Sequence, residues 1–244
     1  MVDLIRDSIA GKTAVILGVG PGQGIATVRM FINFGAKVAI VSRSGNSYGL
    51  AESSTIHVYK SDVSDLQNLK DLKERILKDY GRIDFLHNSV GTWRLDTDDF
   101  PDESEIISIV KTNLISQYNA ISVFNQAMRK DGGSIVNVGA SPHVFNPGHI
   151  GYNMSKAAIE ELTRSSARKL KRYNVRVNAI LPGFMSKEDN YFKNFPFKFP
   201  GLSEDKPLES GEIAMVSVFL CSEMAHGING QSIIVDRGFS LGKV

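Results

Sequence analysis

A single cysteine, Cys221, stands in 244 residues, which excludes an intramolecular disulfide and a cysteine-built metal cluster and fits a reducing, intracellular setting. An excess of charge of one sign is also missing: a formal net charge of +2 gives no reason to expect nucleic acid or an anionic membrane as partner. The basic residues between Arg164 and Arg176 read as the wet face of a helix. No apolar run approaches membrane-spanning length, and no charged-then-apolar leader opens the chain. The expectation is a soluble, cytoplasmic protein. Hydrophobic residues make up 42%, enough for a proper core, and no stretch has the composition of a linker or an internal repeat, so residues 1–244 read as one domain.

Residues 12–17 form a compact apolar run rich in β-branched side chains, the pattern of a buried strand. They lead into Gly18-Val-Gly-Pro-Gly-Gln-Gly24, and residues 25–34 then show helical periodicity up to Gly35. A second strand at 37–42 completes a βαβ unit with parallel strands. Residues 43–54, rich in glycine and serine, predict an irregular connection to a third strand at 55–60. Ser64-Asp-Leu-Gln67 reads as a capping box, with Leu66, Leu69, Leu72 and Ile76 on the buried face of its helix and Gly81 closing it. Further strands are expected at 83–87, 134–138, 175–181 and 232–235, and helices at 105–129, 152–173 and 210–222. Strands alternating with helices predict a Rossmann-like α/β fold: one doubly wound parallel sheet of about seven strands with helices on both faces.

The glycine turn sits where a nucleotide phosphate would bind, after the first strand and at the N-terminus of the first helix. Gly18 permits the tight turn, Gly22 lets the backbone approach a pyrophosphate, and Gly24, followed by Ile25, lets the helix pack on the sheet. Further along, Tyr152 and Lys156 lie one turn apart on one helix face, where a nearby ammonium would favour ionisation of the phenol. Those two residues alone favour the reading of an ordinary helix start; their company decides.

That company, in order, is Gly18-x-x-x-Gly22-x-Gly24, Asp62-Val63, Asn88-Ser-Val-Gly91, Asn113, Tyr152-x-x-x-Lys156, Pro182-Gly183 and Gly230-Gln-Ser-Ile-Ile-Val-Asp236. With these landmarks the chain resembles the short-chain dehydrogenases/reductases over almost its whole length. The resemblance implies hydride transfer with a nicotinamide cofactor, with Tyr152 as acid/base, Lys156 as ribose anchor and modifier of the tyrosine, and Asn113 as a proton relay. It places Asp62 and Val63 at the adenine, and it implies cofactor contacts at Asn88, Ser89, Gly91, Pro182 and Gly183. At the end of the second strand stand Ser42 and Arg43 in place of a carboxylate, which favours NADP(H) over NAD(H), because a guanidinium suits a 2′-phosphate. Holding Tyr152 as phenolate near neutrality would take about 4 kcal/mol of differential stabilisation.

The chain departs from the family pattern where a serine normally precedes the tyrosine by thirteen residues. Gly139 holds that place, alignment on the preceding strand puts Ala140 there, and Ser141 is the nearest hydroxyl. Ser141 is therefore the expected catalytic orienter, with His143 or Asn146 as substitutes. Arg237 replaces a usual glycine, and Ser186 and Lys187 stand near the usual threonine. Residues 184–207, with Phe184, Tyr191, Phe192, Phe195, Phe197 and Phe199 among lysines, occupy the place of a substrate lid. As a lid they would give an apolar lining with a basic rim, which suits an acyl-bearing substrate with a negative handle, a 3-oxoacyl thioester first. Packing of these aromatics on the protein itself or on a neighbouring subunit is the equal alternative. A sugar or polyol substrate, or a catalytically impaired nucleotide-binding sensor or scaffold, are the rival readings. The resemblance also implies a small-molecule carbonyl or alcohol partner and a homo-oligomer, dimer or tetramer.

Overall fold

The structure is a computed structural model that describes residues 2–145, 148–185 and 207–241. Seven strands form one sheet: β1 Thr13–Leu17, β2 Lys37–Ser42, β3 Ile56–Lys60, β4 Phe85–Asn88, β5 Gly133–Val138, β6 Val175–Pro182 and β7 Ser232–Val235. Their spatial order is β3-β2-β1-β4-β5-β6-β7, and every neighbouring pair is parallel. The order reverses direction between β1 and β4, so a crevice opens beyond their C-terminal ends, where such sheets bind ligands.

Side chains alternate across the sheet and feed two separate cores. Ala14 and Ile16 face a core built with α1 (Val2–Ile9), α2 (Gln23–Asn33) and, near the C-terminus, the helix Ser210–Cys221. Val15 and Leu17 face the other, built with α3 (Leu66–Tyr80) and two later helices, Ser116–Met128 and Ile150–Leu170. Numbered in chain order with Glu103–Val110 as α4, these last three are α5 (Ser116–Met128), α6 (Ile150–Leu170) and α7 (Ser210–Cys221). Because both faces of the sheet are covered, β1 is buried along its whole length and reads as a continuous apolar run.

Several local expectations need correcting. The cap of α3 is Asp65, whose carboxylate accepts the Asn68 N–H at 2.8 Å; Ser64 instead donates its hydroxyl to Asp62 Oδ1 at 2.7 Å. The helix therefore starts one residue later than the sequence pattern suggests, and Leu66 is exposed while Leu69, Leu72 and Ile76 are buried. Residues 105–129 are not one uninterrupted helix. A π turn at Lys111–Ile115 separates α4 from α5, and Asn113 at its centre is completely buried. π turns of this kind insert one residue into a helix and re-aim a side chain. Helix α1, which buries Ile5 and Ile9 at an i, i+4 spacing, is an addition to the expected elements. Between β2 and β3 there is no helix, and Tyr48 and Leu50 of that connection pack against the first core.

Arg237 adopts the left-handed φ of +56°, a conformation in which glycine is at ease. Its buried guanidinium is held by both oxygens of Glu212 on α7, at 3.0 and 2.6 Å. Such a two-pronged pair compensates the backbone strain and ties the segment after β7 to the start of α7.

Candidate active site

Helix α6 begins without a side-chain cap of its own. The loop after β4 supplies one: Asp96 Oδ2 accepts the Ile150 N–H at 2.6 Å, and Asp96 N donates to Gly148 O at 3.0 Å. His149 Nδ1 meets Arg94 O at 2.7 Å, so it donates there, and its ring lies 4.7 Å from Trp93 and 6.4 Å from Tyr152. Tyr152 thus enters the helix from a start fixed by residues 92–96 rather than by local sequence.

One turn on, Ser155 and Lys156 are buried. Asn113 Nδ2 donates to Ser155 Oγ and to Thr92 O, each at 3.0 Å, and Asn113 Oδ1 accepts the Thr92 N–H at 2.7 Å. The π turn therefore lets one asparagine clamp the loop after β4 onto α6. Lys156 Nζ donates to Val138 O at 3.1 Å and lies 5.9 Å from the centre of the Tyr152 ring. A Cβ on Gly91 would lie 3.1 Å from that nitrogen, so glycine at this position makes the room for the ammonium.

Burial dominates the electrostatics. It pushes the Lys156 ammonium down to about 8 and raises the Tyr152 phenol above its ordinary value. Burial therefore favours the protonated phenol, the form that can donate. The lysine remains mostly cationic at neutral pH, because 7 still lies below its pKa.

Two cavities meet at Gly91. One, of about 240 Å³, is lined by Gly18, Ser42, Arg43, Asp62, Val63 and Gly91, among others. The second, of about 200 Å³, is lined by Ser89, Gly91, Tyr152, Lys156, Pro182 and Gly183 together with Gly139, Ala140 and Trp93. Gly18 has φ +76°, and a Cβ there would sit 2.8 Å from the backbone of Ser89 and Val90, so the glycine turn closes directly on the loop after β4. Gly22 caps α2. Gly24 and Ile25 are buried at the start of that helix, and buried Asn88 donates to Asn137 Oδ1 at 2.9 Å; these three stand behind the cavities rather than in them. Asp62 is held below the usual carboxylate range by two hydrogen bonds from Ser64, with a smaller contribution from Arg43. An elongated crevice with a glycine turn at its centre, a sugar-sized recess on one side and a lysine on the other has the shape and donors a dinucleotide requires.

Ser141 is not brought to this cavity. It is fully buried, its hydroxyl accepts the His143 N–H at 3.4 Å, and Gly139 and Ala140 line the wall instead. His143 is exposed to solvent, and Asn146, Ser186, Lys187 and nearly all of the expected lid lie outside the described residues. Sequence reasoning also passes over Gln23, whose Nε2 is buried without a partner beside the second cavity, and the loop 92–96. Gln23 is hidden there because the glycines around it carry all the pattern.

The chain is similar to known proteins over nearly its whole length. A family model described as enoyl-(acyl carrier protein) reductase matches residues 18–240. The chain is 30% identical to a 3-oxoacyl-[acyl-carrier-protein] reductase, FabG, of Thermotoga maritima, over 94% of this chain and 98% of that one. It is 29% identical to 2,3-dihydro-2,3-dihydroxybenzoate dehydrogenase of Escherichia coli K12, over 96% and 98%. A solved short-chain dehydrogenase/reductase from Serratia marcescens superposes with a TM-score of 0.78 at 26% identity, covering 96% of this chain and 99% of the other. The chain belongs to the short-chain dehydrogenase/reductase family, oxidoreductases that act on CH–OH and C=O groups with nicotinamide cofactors.

The depressed lysine has a thermodynamic consequence. Between about pH 8 and the ordinary lysine value the unfolded chain binds more protons than the native one, so this group makes stability rise with pH in that window. At pH 7 a shift of this size corresponds to about 3 kcal/mol of destabilisation. Lys156→Met is expected to raise the thermal midpoint at pH 7 and to flatten the rise between pH 8 and 10, read by calorimetry. A midpoint equal to or below that of the parent at pH 7 would contradict the burial argument.

Proposed function

We propose that the chain is an NADP(H)-preferring oxidoreductase that interconverts a ketone and a secondary alcohol, with a 3-oxoacyl thioester as substrate. The observation that carries this reading is that Tyr152 and Lys156 line one cavity, which adjoins the crevice of the glycine turn. The cofactor, when bound, supplies the hydride. Tyr152 gives its phenolic proton to the substrate oxygen in reduction and removes it in oxidation. Lys156 turns its ammonium to the cofactor ribose and, once there, favours the phenolate left on Tyr152. Asn113 holds the loop and helix together and would hold a water through which the lysine exchanges protons with solvent.

The cofactor preference is supported by the absence of a carboxylate at the end of β2 and by the placing of Arg43. That arginine borders both the first cavity and a neighbouring groove of about 550 Å³ that holds Lys60 and Arg75. The three cations outnumber the two carboxylates of that groove, Asp62 and Asp71, and a guanidinium suits a phosphate ester. For the substrate, Trp93, Val144 and Met185 give the second cavity an apolar wall, which suits an acyl chain better than a polyol. The apolar residues Ile107, Ile115, Tyr118 and Met154, exposed on α4, the π turn, α5 and α6, suit burial against a second copy in a dimer or tetramer. In this reading the chain works as one cytoplasmic domain, with residues 184–207 as its lid.

Turnover of a 3-oxoacyl thioester with NADPH, followed by nicotinamide absorbance, tests the activity. Tyr152→Phe is expected to lower kcat by at least about a hundredfold while NADPH binds nearly as before; comparable turnover in the variant would remove the tyrosine from the reaction. Arg43→Ala is expected to weaken NADPH by about tenfold and NADH hardly at all. Equal losses for the two cofactors would refute the phosphate role.

A second reading, a nucleotide-binding protein with impaired catalysis, draws on the hydroxyl missing from the cavity wall. Losing one such donor can cost about 3 kcal/mol at the transition state. Ala140→Ser restores a hydroxyl to that wall and is expected to raise kcat without changing cofactor affinity. No gain would show that the native site does not depend on that donor.

A further inference from the structure

The Val138 carbonyl is shared by two side chains. Lys156 Nζ donates to it at 3.1 Å and Gln117 Nε2 also at 3.1 Å, while the same amide reaches Val90 O at 3.3 Å. Val138 is the last residue of β5, and the β4–β5 register ends one pair earlier, at Asn88 and Asn137. Its carbonyl therefore emerges past the ladder, at the wall of the second cavity, where side chains must supply its donors.

Gln117 is completely buried, and its Oε1 has no hydrogen-bond partner. A methionine or leucine would fill the same space without leaving an amide oxygen unpaired, so packing does not account for a glutamine here. Its two N–H donors do. They span the ends of the two strands on the β4 side of the crevice, and one of them duplicates the lysine's own hydrogen bond.

We infer that Gln117 is a positioning residue that keeps the Val138 carbonyl hydrogen-bonded when the Lys156 ammonium leaves it for the cofactor ribose. The inference rests on the ribose role proposed for Lys156. An ammonium whose departure strands a buried carbonyl is held back by that carbonyl; a second donor already in place removes the penalty. Gln117 thus makes Lys156 a two-position group: parked on Val138 without cofactor, released with it.

Gln117→Met keeps the length and volume and removes both donors. NADPH titration, followed by the fluorescence of Trp93, the single tryptophan and part of the same cavity wall, gives the affinity directly. The expected result is NADPH binding weaker by about tenfold, the effect typical of one unmet buried carbonyl. The KM for cofactor should rise with it and kcat should change much less, whereas a general loosening of the fold would lower both kcat and the thermal midpoint. In a Lys156→Met background the same substitution should alter affinity by less than about twofold, because no ammonium remains to be released. If Lys156→Met leaves NADPH affinity unchanged, the ribose role and this inference fall together. If it weakens NADPH while Gln117→Met binds as the parent does, the Gln117 inference alone is overturned. Should Gln117→Met not fold, a crystal structure of the parent protein with NADPH decides. Lys156 Nζ away from Val138 O with Gln117 Nε2 still on it supports the inference, and a lysine still on Val138 overturns it.

Discussion

A buried ammonium whose hydrogen-bond partner is a carbonyl, not a carboxylate, sets the terms for this site. Among the described residues no acid forms an ion pair with Lys156; its ammonium donates to the Val138 oxygen. Burial without a counter-charge lowers its proton affinity and leaves the charge poorly compensated. A carboxylate would repair that, but it would also fix the ammonium in place and repel the cofactor's phosphates. The neutral carbonyl keeps the charge available. In the proposed mechanism a mobile cation is needed at this point, and stability is given up for it, a familiar exchange at functional sites.

The surrounding architecture follows from that choice. The sheet order puts the ends of β1, β4 and β5 around one crevice. Gly18 lets the first of these ends close on the loop after the second, and Gly91 clears the volume for the lysine. The π turn points Asn113 inward, where its amide meets both backbone atoms of Thr92. Asp96 and Arg94 of the same loop then fix the first turn of α6. The loop after β4 is thus the keystone: it contacts the glycine turn, the π turn and the tyrosine helix at once. A substitution at Asp96 would be felt at Tyr152 without touching it.

The sheet was legible in the sequence because buried parallel strands are continuous apolar runs bounded by glycine, and strands 37–42 and 232–235 match to the residue. Tyr152, Lys156 and the glycine turn were legible because helix periodicity fixes which residues share a face. What stayed hidden depends on contacts across long sequence distances. The α6 cap comes from Asp96, far upstream, while the local residue His149 offers none. The π turn has no signature in composition: Lys111-Thr-Asn-Leu-Ile115 continues a helical pattern, and only the buried amide of Asn113 reveals the extra residue. Gln117 stood in view, a second polar residue four positions after Asn113 on the inner face of a helix, but its meaning depends on where Val138 ends its ladder.

The missing hydroxyl is explained by packing at the neighbouring residue. A Cβ on Gly139 would lie 2.4 Å from Leu181 Cδ2, well inside contact distance, so a serine thirteen residues before the tyrosine requires the Leu181 side chain to shift. Leu181 is itself buried and part of a small core with Ile159 and Ala179, which holds α6 to the sheet. The loop that follows β5 therefore begins under a constraint set by the tyrosine helix's own packing. Ser141, the next hydroxyl along, is turned into the cap of the short 3-10 turn Pro142–Val144, because the proline beside it fixes the backbone there. Between a glycine packed against the Leu181 side chain and a serine committed to a turn, Ala140 is the residue that offers a Cβ to the cavity. The cavity thus keeps Tyr152 and Lys156 while Ala140 on its wall presents a methyl group, and in the proposed mechanism Tyr152 is then the principal donor to the substrate oxygen.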